Sequence, residues 1–122
     1  MTTVWNATVE SIGGEAADMI EAGLLILFAS PVPDALADVS VIHDMKAAPL
    51  HPIAANDRIV IGEESWTITE VGERANDNLT ELGHIVLYAN QPDQELLPGA
   101  MKIEGGDLVI PTVGSSVSFV QE

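Results

Sequence analysis

The chain has 122 residues, enough for one domain around one core, and no cysteine, so it offers no disulfide framework, thiolate nucleophile or thiolate metal site. Nineteen acidic residues against four basic ones give a net charge of −15. That field repels nucleic-acid backbones and anionic lipid, excluding both as favoured partners, and draws in a basic protein.

The apolar fraction of 47% excludes global disorder. The first residues, MTTVWNATVE, lack a basic region and an apolar signal core, and the longest apolar run, Gly23–Ala29, is too short to span a bilayer. The expectation is a soluble cytoplasmic protein without membrane insertion.

In chain order, TVWNATVE (3–10) reads as a strand. EAADMIEAG (15–23) reads as a helix stopped by Gly23. LLILFA (24–29) and VSVIH (39–43) follow as strands, and RIVIG (58–62) and SWTITEV (65–71) as a hairpin linked through Gly62–Glu64. In SWTITEV, Trp66, Ile68 and Glu70 share one face and Thr67, Thr69 and Val71 the other. NLTELG (78–83) is a short helical turn, with Asn78 and Glu81 at capping-box spacing and Gly83 as its stop. HIVLYA (84–89) is a strand, and QPDQELLPGA (91–100) a loop closed by the Pro98-Gly99 turn. DLVIP (107–111) and SVSFVQ (116–121) complete the strands.

Short strands punctuated by Gly and Pro predict an all-β sandwich or closed barrel with one or two short helical turns. No internal repeat or linker divides the chain, so residues 1–122 read as one domain. The expected interior holds Leu25, Ile42, Ile59, Ile61, Ile85, Leu87, Val109 and Phe119. An exposed edge such as SVSFVQ would offer pairing across a homodimer.

Three histidines carry the candidate chemistry, because imidazole alone offers a neutral nitrogen nucleophile near neutral pH. His43 ends a strand, where a side chain can leave a barrel wall for its rim. His51 precedes Pro52, which favours an extended loop backbone. His84 opens a strand after Gly83. A lone histidine in a β domain is most often structural. The three spacings carry no zinc signature, no serine sits in a nucleophile elbow, and IGG (12–14) and EGG (104–106) are bare turns rather than phosphate loops. No metal or cofactor is expected. The residues by themselves reach an acidic β domain with a candidate rim histidine.

VIHD (41–44), LHP (50–52), DNLTELGHIVL (77–87) and LLPGAMKIEG (96–105), preceded in matching order by IGGEAADM and LLILF, resemble the glucitol/sorbitol-specific IIA component of the sugar phosphotransferase system. The resemblance covers essentially the whole chain. It implies a closed β-barrel carrying one phosphohistidine, with His43 as the acceptor. It also implies phosphate arriving from the histidine phosphocarrier protein and passing to a cysteine of the cognate IIB domain, for sorbitol uptake through the membrane IIC part; IIB and IIC would be separate polypeptides. The phosphoryl group is anionic, so local donors must offset the chain's negative field. His84 is the best second donor. Lys46 and the backbone N–H groups of Asp44–Ala47 are weaker candidates. The competing readings are a non-catalytic, regulatory protein-binding barrel of the same family and, disfavoured by spacing, a zinc hydrolase.

Overall fold

The computed structural model describes residues 1–121. Alternation of apolar side chains decides which face each strand turns inward. The strands are β1 (Thr2–Ile12), β2 (Leu24–Ala29), β3 (Val41–His43), β4 (Arg58–Ile61), β5 (Glu64–Val71), β6 (Ile85–Ala89), β7 (Ala100–Gly105) and β8 (Ser116–Gln121). Three short helices intervene: α1 (Ala16–Glu21), α2 (Asp34–Ala37) and α3 (Ala75–Leu82). The strands close into a barrel in the order β1-β3-β2-β6-β7-β5-β4-β8. β2 runs parallel to β3 and β6 parallel to β7, and every other neighbouring pair is antiparallel.

The all-β barrel is as expected, with one helix more than anticipated. Two halves build it on one plan. β1-α1-β2-β3-β4 and β5-α3-β6-β7-β8 occupy corresponding places around the ring. His43 pairs with Val9 and Ala29, and Ile103 pairs with Ile68 and Ala89. β1 has a register shift just after Val9, and β5 has one just after Ile68. Loop hydrogen bonds repeat as well. Ser30 N–H donates to the His43 carbonyl and Asn90 N–H to that of Ile103. Gly13 N–H donates to Ser40 and Gly72 N–H to Ala100. No repeat was expected from the sequence, because the correspondence lies in pairing while few side chains are shared.

Leu25, Ile59, Ile61, Ile85, Leu87 and Phe119 are buried as expected. Ile42 is instead only partly buried, because Val41 and His43 take the inward positions of β3. The expected strand DLVIP is an irregular loop with Val109 and Ile110 about half exposed. Closure explains this: β4 and β8 already have two partners each, so the ring has no vacancy for another strand. The same closure removes the expected free edge at SVSFVQ. The eighth strand is β7, whose pattern is obscured by Lys102. That ammonium is buried, 3.0 Å from the Glu70 carboxylate and 3.0 Å from the Pro92 carbonyl.

In β5 the register shift turns Glu70 outward and lets Val71 pack on the core, so the face shared by Trp66 and Ile68 ends there. α3 starts at Ala75, three residues before Asn78, and its N-terminus has no side-chain cap. Buried Ala75 and Leu79 dock it on the barrel, and Gly83 at φ +62° ends it, as expected. α1 likewise ends just before Gly23.

Phe119→Ala should cost about 3–5 kcal/mol, the range for emptying a buried aromatic site. Val109→Ala should change stability by no more than about 0.5 kcal/mol, as at exposed positions. Urea unfolding of the two variants checks the contrast.

Candidate functional site

The pleat of β3 sends Val41 and His43 inward and Ile42 outward. His43 is therefore not a rim residue: its relative exposure is 0%. It remains in phase with Val41, and the chain after it does not leave the barrel but folds back along β1. Thr8 N–H donates to the Asp44 carboxylate at 2.8 Å, Trp5 Nε1–H to the Ala47 carbonyl at 3.1 Å, and Leu50 N–H to the Val4 carbonyl at 2.9 Å. Residues 44–50 thus form a strap held to β1 at three points.

The imidazole is fixed on several sides. Trp5 meets it edge-on, with ring centroids 5.2 Å apart at 81°. His43 Nε2 lies 2.7 Å from the Gly83 carbonyl, and Met45 N–H points at Nδ1 from 3.1 Å. A carbonyl only accepts, so Nε2 carries the proton and donates. Nδ1 holds the lone pair and accepts from Met45. Gly83 brings its carbonyl this close because it has no side chain. A Cβ there would lie 2.5 Å from the Ala29 Cβ, 2.5 Å from the Met45 oxygen and 2.9 Å from His43 Cε1.

Burial pushes the His43 pKa below its ordinary value; the Gly83 hydrogen bond and the Asp44 and Glu10 carboxylates oppose the shift without reversing it. Geometry acts in the same direction as burial, since a proton on Nδ1 would face the Met45 N–H donor. The resting ring is neutral.

The other candidates lie elsewhere. β6 turns Ile85 inward and leaves His84 half-buried outside, where Nδ1 lies 3.1 Å from the Leu27 carbonyl and the ring packs on Phe28 at 4.6 Å between centroids. Among the described residues no hydrogen bond or ring contact joins His84 to His43; the Gly83 carbonyl that meets His43 immediately precedes His84 in the chain. His51 is exposed in a loop, as its place before Pro52 suggested. Lys46 is exposed on the strap. Among the described residues no group of three or more His, Cys, Asp or Glu side chains is placed to hold a metal ion. Sequence reasoning missed Trp5 and the Gly83 carbonyl. Gly83 was visible only as a helix stop, although its left-handed turn is also what aims the carbonyl.

A family model described as the PTS system glucitol/sorbitol-specific IIA component matches residues 4–118. The chain belongs to this family. It is 32% identical over 108 residues to the PTS system glucitol/sorbitol-specific EIIA components of Shigella flexneri and Escherichia coli, covering 86% of this chain and 85% of each relative. Among solved structures it is similar to a PTS system IIA component from Enterococcus faecalis, with a TM-score of 0.84 and 28% identity over 96% of this chain and 100% of that one. The match spans both His43 and Gly83. The barrel's two halves differ at this point: the first places His43 beside Gly83, and the second has Ile103 at the matching position.

Gly83→Ala should destabilise the protein by more than about 1 kcal/mol, because φ +62° disfavours alanine and the methyl has no room. A urea melt checks this. The His43 shift also sets a pH dependence. The unfolded imidazole binds its proton near 6.5 and the native one only at lower pH, so the unfolded state holds more protons between the two. The His43 contribution to stability is therefore unchanged above that window and is lost as pH falls through it. The pH slope of the urea midpoint below neutrality should be shallower in His43→Gln than in the unaltered protein.

Proposed function

We propose that the chain is the phosphoryl carrier of its phosphotransferase system, with His43 accepting the group from the histidine phosphocarrier protein and passing it to the cysteine of a glucitol/sorbitol IIB domain. The observation that carries this reading is the state of the imidazole: neutral, in one tautomer, with Nε2–H anchored on the Gly83 carbonyl. A covalent carrier needs that preparation, since it is first nucleophile and then leaving group.

The step balances without net proton transfer. The Nδ1 lone pair attacks phosphorus in line as the donor's P–N bond breaks, and the donor ring keeps that electron pair. His43 retains its Nε2 proton, so the phosphorylated ring is cationic; the Gly83 carbonyl and the nearby Asp44 and Glu10 charges stabilise that cation. Transfer to the IIB thiolate reverses the sequence, with sulfur attacking phosphorus and the P–N electrons returning to His43. Two things must move first. Met45 N–H has to leave Nδ1, and the strap has to uncover the ring. The carrier works in the cytoplasm, and among the described residues no helix is long and apolar enough to cross a membrane.

The test is incubation with phosphoenolpyruvate, enzyme I and the phosphocarrier, followed by mass mapping of each histidine. His43→Gln should take up no phosphate, because an amide nitrogen is not a competent nucleophile. His43→Ala should do the same and, contrary to the rim expectation, should also lose about 2–4 kcal/mol of stability, since a buried side chain is removed. His84→Ala should still accept phosphate, slowed only a few-fold, because its ring is engaged by the Leu27 carbonyl and Phe28 rather than by His43. His51→Ala should be neutral. Phosphate on His84, or undiminished uptake by His43→Gln, contradicts the assignment, and an unaltered protein that takes up none is a regulatory barrel instead.

A further inference from the structure

His43 sits in an acidic neighbourhood. Asp44 and Glu10 both act on its charge, and the chain as a whole carries −15. Those charges suit a phosphorylated ring, but they oppose an incoming phosphoryl group. The four bases are the chain's means of offsetting this, and three are already engaged. Arg58 donates to Thr67 and Ser65, Arg74 pairs with Asp77 at 3.1 Å, and Lys102 is buried on Glu70. Lys46 alone makes no side-chain ion pair or hydrogen bond among the described residues, and it is exposed.

Its position is specific. Lys46 follows Met45, whose N–H caps Nδ1 and whose carbonyl lies against Gly83. It precedes Ala47, whose carbonyl is held by Trp5. The backbone N–H groups of Lys46 and Ala47 likewise have no protein acceptor among the described residues. The strap that must leave His43 therefore carries, among the described residues, the one lysine or arginine side chain without a partner and a short run of unengaged N–H donors.

We infer that Lys46 is the charge partner of the transferring phosphoryl group: when the strap lifts, its ammonium contacts the phosphoryl oxygens while P–N bond exchange takes place at His43. This rests on the carrier reading above and adds to it the residue that offsets the group's charge. A lysine suits the task, being a compact point charge on a flexible stem. It acts where equatorial oxygens bear the negative charge in the transition state.

The test is the rate of phosphoryl uptake from the phosphocarrier by the full chain, measured as kcat and KM over a range of salt concentrations. Lys46→Met keeps most of the stem and removes the charge. It should lower kcat on the order of tenfold or more, as expected for losing a charge-assisted hydrogen bond, with an unchanged melt because the side chain is exposed. Lys46→Arg should recover most of the loss and Lys46→Glu should deepen it. If Lys46→Met raises KM and flattens the salt dependence while kcat holds, Lys46 steers docking only and the inference is overturned. An unchanged kcat and KM overturns it as well. In both of those cases His43 still gains phosphate and the carrier reading stands; if the unaltered protein gains none on His43, it is the carrier reading that fails.

Discussion

The hydrogen bond from His43 Nε2 to the Gly83 carbonyl, 2.7 Å long, is the interaction on which the site depends. Burying an imidazole is costly unless its nitrogens are partnered, and this bond satisfies one while choosing the tautomer of the other. Much of the fold converges on it. α3 must end in a left-handed residue, that residue must lack a side chain, and β6 must pair with β2 so that Gly83 arrives beside Ala29 and His43. The strap then supplies the second partner through Met45. The result is an imidazole held in one tautomer and covered. In the carrier reading proposed above, access to the ring requires this strap to move.

The barrel's two-part construction gives this arrangement a scaffold and also an internal comparison. Gly23 and Gly83 both end helices at positive φ and both lead into strands of the same register, LLILFA and HIVLYA. At the inward position that ends the first half's short strand stands His43; its counterpart in β7 is Ile103, wholly buried in the core. One half of the plan therefore has an apolar side chain where the other has an imidazole. Barrel closure needs both halves, and the carrier role proposed for His43 draws on one.

Much of the fold was legible. Seven of the eight strands could be read from β-branched and apolar runs, and the Gly23 and Gly83 stops were correctly placed, because these signals are local. The failures came from effects that depend on the whole ring. DLVIP has strand composition but finds no partner, and AMKIEG carries a lysine whose burial is tolerated only because Glu70 and the Pro92 carbonyl meet it. The identity of the candidate histidine followed from the family resemblance rather than from periodicity. Its environment was misjudged, because a strand end suggests a rim only if the following segment leaves, and here Asp44, Ala47 and Leu50 tie that segment to β1. The Gly83 carbonyl was invisible for a simpler reason: backbone acceptors carry no sequence letter.

The most direct test of this account is two-bond 1H–15N NMR on the histidine rings of the unphosphorylated protein at pH 6.5, the midpoint of an ordinary imidazole. It predicts that His43 appears predominantly as the neutral Nε2–H form, with a hydrogen-bonded Nδ1. An imidazolium, an Nδ1–H form or a rapidly averaged ring at His43 would contradict the central claim that a buried imidazole is held in a single tautomer between Gly83 and Met45.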